Sequence, residues 1–201
     1  MQQYRSSEQL KFSKNPLVLI VHLLLAGIVI LFLGLCYGYL FSLNQDKWED
    51  FRLPKIFWLS SVCVIIISFS LRKCHQFYKK DKPKTILQFM LIALFFAVGF
   101  LICQYMGWMQ MQKAGFTLAD TPSSSYIYIL SGLHGLHIIA GIIFLIVAVF
   151  RMKKNIQDEV SALLFLSDET KYIRLRLLTH YWHTIDFLWI FLFILFLYQH
   201  A

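Results

Sequence analysis

Carboxylates are almost missing from the long apolar runs of this chain: of 11 Asp and Glu residues, Asp186 alone lies deep inside one. Charged side chains of both signs make up only 15% of the 201 residues, against 58% hydrophobic ones, which excludes an ordinary soluble domain. The four cysteines, Cys36, Cys63, Cys74 and Cys103, have neither pairing nor metal-type spacing and read as small buried hydrophobes. No Walker, dinucleotide-binding or Ser/His/Asp pattern occurs, and no internal repeat or low-complexity tract divides the chain. A cleavable signal peptide is not expected, because the first apolar run starts near Pro16, is too long for a signal core and has no small-residue cleavage site.

What is present is a series of spans. A hydrocarbon core of about 30 Å needs roughly 20 helical residues. Five runs approach or exceed that: Pro16 to Phe41, Ile56 to Leu71, Thr85 to Met111, Ser123 to Phe150 and Leu177 to Tyr198. The second is the shortest and is extended by flanking aromatics such as Phe57, Trp58, Phe77 and Tyr78. The prediction is an all-α, polytopic membrane protein: an N-terminal arm over residues 1–15, then one five-helix transmembrane domain over 16–201.

The net charge of +8 is explained by topology rather than by nucleic acid. Fifteen Lys and Arg residues fall in the N-terminal arm, the second loop and the fourth loop; Lys47, Arg52, Lys55 and Lys113 are the four on the other side. The positive-inside rule therefore places the N-terminus in the cytoplasm and the C-terminus outside, as five crossings require. Residues 156–176 read either as a short amphipathic segment on the inner membrane surface or as an ordinary helical connection. Gly34 and Gly38 in the first span, and Gly132, Gly135 and Gly141 in the fourth, are candidates for close helix approach.

Ionisable residues at membrane depth are functional or partner-binding hypotheses by default. His134 and His137 lie one turn apart in the fourth span, and His180, His183 and Asp186 run along one face of the fifth. With a rise of about 1.5 Å per residue, His137 lies about 20 Å and Asp186 about 15 Å above the inner end, within roughly a turn of one another. An imidazole, His137 foremost, is accordingly expected to hydrogen-bond the Asp186 carboxylate. One-turn spacing does not suit two stacked haems, and a carboxylate-bridged di-iron site lacks its glutamates. No residue is assigned a catalytic, cofactor-binding or metal-ligating role. A proton relay through the His/Asp group lacks continuity, since Ile190 to Leu197 contains no proton carrier.

Two runs carry a family resemblance. Gly132-Leu133-His134-Gly135-Leu136-His137 and Tyr181-Trp182-His183-Thr184-Ile185-Asp186-Phe187-Leu188-Trp189 resemble two signature helices of subunit III of the haem-copper respiratory oxidases. Gln104 and Trp108 with downstream Gly115, and the pair Ser60 and Ser61, are similar to further features of that family. Five helices resemble its shorter bacterial form, which lacks the first two of seven. Leu25 stands where the family has a glutamate, and Gly107 where its third motif has another. The resemblance implies an accessory subunit without cofactor, packed on the catalytic subunit I, whose own haem and copper reduce oxygen while protons are pumped. It further implies bound phospholipid, a role in stability and proton uptake, and a bacterial cytoplasmic membrane location. Cytochrome c is preferred over quinol as donor; the related accessory proteins of quinol oxidases and nitric oxide reductases are the alternative. His134, His137, His183 and Asp186 are then expected to form a structural hydrogen-bond cluster. Trp182, Trp189, Gln104 and Trp108 are expected to make packing or lipid contacts.

Overall fold

A computed structural model describes residues 16–42, 53–118, 121–156 and 168–200. It contains five helices: α1 Pro16–Ser42, α2 Ile56–Tyr78, α3 Pro83–Lys113, α4 Pro122–Asn155 and α5 Glu169–His200. Each is long and apolar enough to cross a membrane. The N-terminal arm and most of the 156–176 segment, residues 157–167, lie outside the described residues.

Local chemistry sets the helix ends. Pro83 and Pro122 occupy first-turn positions, where a missing N–H costs nothing, and Thr121 caps α4 by accepting the Ser124 N–H at 3.3 Å. At the far end of α3, Gly115 adopts φ +90 and the Phe116 N–H reaches back to the Met111 carbonyl at 3.0 Å, a left-handed C-terminal stop. Tyr128 ties that turn to α4 by donating to the carbonyls of Trp108 and Phe116, each at 3.1 Å. A short turn through Asp81 makes α2 and α3 an antiparallel hairpin, closed by the stacked Phe77 and Phe89 rings at 5.6 Å.

Both α2 and α5 run past the apolar windows that predict them, α2 through Arg72 to Tyr78 and α5 from Glu169. Hydropathy marks only the part in hydrocarbon, whereas the backbone ladder continues into the polar ends. Asp168 starts α5: its carboxylate accepts the Thr170 N–H at 2.9 Å and lies 3.6 Å from the Lys171 ammonium.

Four helices enclose the core, whose centre is formed by Phe57 and Ile67 of α2, Ala97 and Phe100 of α3, Leu130 and Ile138 of α4, and Trp182, Trp189 and Phe196 of α5. α1 is attached by one stripe, Val18, Leu25, Phe32, Cys36, Tyr39 and Ser42, and turns Leu19, Leu23, Ile30 and Leu33 outwards. A helix that is apolar on its outward face as well suits lipid or a neighbouring subunit rather than water. Leu25, which the resemblance sets against a glutamate, is buried in that stripe.

The packing glycines divide. Gly38 approaches Tyr126 and Gly141 approaches Tyr181 and Trp182: a β-carbon would lie 3.0 Å from the Tyr126 hydroxyl oxygen at the first, and 3.0 Å from ring atoms of both Tyr181 and Trp182 at the second. Gly34 faces open space, so the Gly34/Gly38 pair does not act as one contact within this chain. The tightest approach is at Gly107, where a β-carbon would lie 2.5 Å from Phe57 Cε1.

Candidate functional site

Trp189 is the hub that the other elements are built around. It is fully buried, and its indole ring meets Phe57 of α2 at 6.1 Å, Phe100 of α3 at 5.0 Å and His134 of α4 at 5.2 Å between centroids. Its Nε1–H donates to Ser61 Oγ at 3.1 Å, and the Ser61 hydroxyl donates on to the Phe57 carbonyl at 2.9 Å. One residue of α5 thereby joins three neighbouring helices by ring contact and one by hydrogen bond. His134 is likewise fully buried, with its ring edge-on to Phe100 at 5.4 Å and Phe32 at 6.3 Å.

Polar side chains act as interhelical ties around this layer. Gln104 Nε2 donates to Ser60 Oγ at 3.1 Å, linking α3 to α2. Trp108 Nε1 donates to Ser131 Oγ at 2.9 Å, linking α3 to α4. The Tyr181 hydroxyl donates to the His137 carbonyl at 2.7 Å, linking α5 to α4. His183 Nδ1 and Ser68 Oγ, 2.6 Å apart, link α5 to α2. In an apolar surround such bonds hold helices in register, because water is not there to replace them.

The expected cluster of His134, His137, His183 and Asp186 is not one network. His137 turns its ring towards Phe32 of α1, centroids 5.7 Å apart, and its Nδ1 bonds the Leu133 carbonyl of its own helix at 2.8 Å. His183 points the other way, to Ser68. His134 and Asp186 are buried, and neither the ring nitrogens nor the carboxyl oxygens have a hydrogen-bond partner among the described residues. Trp189 lies against His134 and Trp182 against Gly141, so antiparallel register puts Asp186 level with His137. Rotation about the helix axis, not height, separates them. Trp182 and Trp189 are wholly inside the chain and reach no lipid, whereas Trp108 is only partly buried.

The tie through Ser68 has a periodic signal: Ser61 and Ser68 are seven apart, hence on one face of α2, and meet Trp189 and His183 of α5 in turn. Among the described residues no three His, Cys, Asp or Glu side chains converge to hold a metal ion.

A second feature lies at the basic end of the bundle. A cavity of about 640 Å³ opens between α1, α4 and α5 and reaches Tyr78 of α2 and Ile86 and Met90 of α3; its walls are apolar side chains including Val21, Phe144 and Leu178, with Arg151, Lys171 and Arg174 at its lining.

A model of the family described as cytochrome c oxidase subunit III matches residues 51–201, which takes in α2 to α5 and every residue of the hub. Among curated proteins, cytochrome c oxidase subunit 3 of Mycosarcoma maydis is 36% identical over 104 residues, 52% of this chain and 33% of that protein. The subunit 3 of Allomyces macrogynus is 28% identical over 149 residues, 74% of this chain and 47% of its own length. That of Bos taurus is 27% identical over 136 residues, 68% of this chain and 47% of its own length. The chain thus spans from a third to just under half of these relatives. With five apolar helices around an aromatic hub built from the matched segment, the chain is a multi-pass membrane protein and a member of the cytochrome c oxidase subunit III family.

Proposed function

We propose that this chain is the accessory, cofactor-free third subunit of a proton-pumping haem-copper terminal oxidase. It packs on the catalytic subunit I in a bacterial cytoplasmic membrane, with cytochrome c as the donor to the complex. Haem and copper belong to the partner subunits. The observation that carries this reading is how the chain spends its polar groups: the ties at Ser60, Ser61, Ser68, Ser131 and Tyr181 all join helix to helix. Such an interior is a scaffold. The outward apolar face of α1 supplies surface for a neighbouring subunit.

Phospholipid binding is supported by the cavity at the basic end. Apolar walls suit acyl chains, and Arg151, Lys171 and Arg174 suit an anionic headgroup, a combination that membrane interfaces use for lipid recognition. Bound lipid between α1 and the bundle would brace a helix held by only one buried stripe. Support of the catalytic subunit's stability and proton uptake follows as the role of such a brace.

The test is to purify the oxidase with and without this chain and follow oxygen consumption through repeated turnover. The expected result is an unchanged haem spectrum and initial rate, with faster loss of activity when the chain is missing. Loss of a haem band on its removal would overturn the reading.

A further inference from the structure

Inward of the Trp189 layer, α5 buries two polar groups for which the bundle supplies no partner. Trp182 and Asp186 are four residues apart and so lie one above the other on one face of the helix. Both are buried, and neither the Trp182 Nε1–H nor either Asp186 carboxyl oxygen has a hydrogen-bond partner among the described residues. Buried donors and acceptors are as a rule paired, and ordered water serves where protein does not reach.

The facing side chains are small or apolar. α3 and α5 run in the same direction, and Phe100 meets Trp189 with centroids 5.0 Å apart. Inward of that contact the same face of α3 presents Ala97 and Ala93, both fully buried, while α5 presents Asp186 and Trp182. A methyl group there takes up far less of the space than the Phe100 ring does one turn outward. Val64 of α2, between Ser61 and Ser68, and Ile138 of α4, between His134 and Gly141, are buried at these levels and offer no polar atom. His134, also without a partner, is by contrast enclosed by the rings of Trp189, Phe100 and Phe32. The spacing on α5 suits one bridging molecule: β-carbons at i and i+4 are about 5–6 Å apart. A water making two hydrogen bonds of about 2.8–3.0 Å joins atoms up to about 5.5 Å apart. The groups are complementary, since an indole N–H only donates, a carboxyl oxygen accepts, and water does both. The large cavity, lined by Leu178, Tyr181 and Met90, comes within one turn of Trp182 on the inner side.

We infer that Trp182 and Asp186 form an internal water-binding site in the core of the bundle, the water accepting from Trp182 Nε1–H and donating to the Asp186 carboxyl group. The water supplies the partner that no imidazole gives Asp186, and it fixes two side chains of α5 at the centre of the helix packing.

The test uses the full chain in detergent with two readouts. Ultraviolet resonance Raman reports hydrogen bonding at the indole N–H, and subtracting the spectrum of Trp182→Phe isolates the Trp182 signal. Infrared difference spectra on exchange into heavy-oxygen water report the O–H stretch of internal water. The expected results are a hydrogen-bonded Trp182 N–H and an isotope-sensitive water band that Trp182→Phe and Asp186→Leu each abolish. Ala97→Val keeps both polar groups but takes up the space between them and α3, so it should remove the water band and shift Trp182 to the signal of a free N–H. Asp186→Asn retains an acceptor and should keep both signals. The isotope exchange on the unsubstituted chain needs no core variant, so the test stands even if Ala97→Val fails to fold. A free Trp182 N–H in the unsubstituted chain, a bonded one without any isotope-sensitive band, or a water band that survives Asp186→Leu would overturn the assignment.

Discussion

Gly107→Ala is predicted to strain the α2–α3 hairpin. A β-carbon there would lie 2.5 Å from Phe57 Cε1, 2.9 Å from Cζ and 3.1 Å from Ile56 Cγ2. Carbon atoms pack best at about 3.5–4.0 Å, so the nearest pair overlaps by about 1 Å. Phe57 has little room to yield. It is 1% exposed, packs against Trp189, and its carbonyl receives the hydroxyls of Ser60 at 2.8 Å and Ser61 at 2.9 Å. Those serines in turn accept from Gln104 and Trp189, so displacing Phe57 pulls on two interhelical bonds at once. Overpacking of this kind costs about 1–3 kcal/mol, while replacing a helical glycine by alanine returns about 1 kcal/mol of backbone propensity. Gly27→Ala gains the same propensity but meets nothing within 4 Å. The difference between the two variants therefore isolates the overpacking: Gly107→Ala should be the less stable by about 1–3 kcal/mol. Reversible unfolding in mixed micelles, followed by circular dichroism, reads that difference. Adding Phe57→Leu should recover part of it. Equal stability of Gly107→Ala and Gly27→Ala would refute the packing argument.

Other substitutions test the remaining ties. Trp189→Phe removes the indole donor to Ser61 and part of the ring that spans three helices, and should lower stability by about 1–3 kcal/mol in the same assay. Tyr181→Phe deletes only the bond to the His137 carbonyl and should cost about 0.5–1.5 kcal/mol; no change would show that this bond does not hold α5 to α4. Asp186→Leu removes no hydrogen bond made among the described residues, so the isolated chain should be no less stable; a loss of about 3 kcal/mol would restore the carboxylate-pairing expectation. At the start of α5, the Thr170 backbone N–H chiefly, with the Thr170 hydroxyl and Lys171 adding to it, holds the Asp168 carboxyl below its usual range. Its support of the helix is therefore complete above the unfolded value of about 3.9 and disappears as pH falls through the lower folded value. Amide exchange at Thr170 to Tyr172 should accelerate only in that acid range, and Asp168→Asn should remove the transition; loss of protection near neutral pH would contradict it.

Number and order of the helices are readable in the sequence because hydrocarbon admits little backbone other than helix, and five apolar runs announce themselves. Their full lengths are so only in part: the flanking aromatics Phe77 and Tyr78 mark the end of α2, whereas Glu169 to Arg176 is polar enough to fall outside any hydropathy window yet continues the ladder. At the site, rise per residue puts Asp186 within about a turn of His137 but carries no information on which way each ring turns. That depends on the neighbours that fill the space, Phe32 for His137 and Ser68 for His183. Gly107 shows the same limit from the other side. In the sequence it is a departure from a motif glutamate, and only the structure shows the Phe57 ring occupying the room that any side chain there would need.

On the proposed function this chain is a colourless scaffold for a haem-bearing partner. Its most direct test is gentle-detergent capture of the tagged chain from its native membrane, with the retained material read by mass spectrometry and visible absorption. Recovery together with an oxidase catalytic subunit and its haem bands is expected. Recovery of the chain alone and without colour, or of the chain alone with its own haem band, would contradict it.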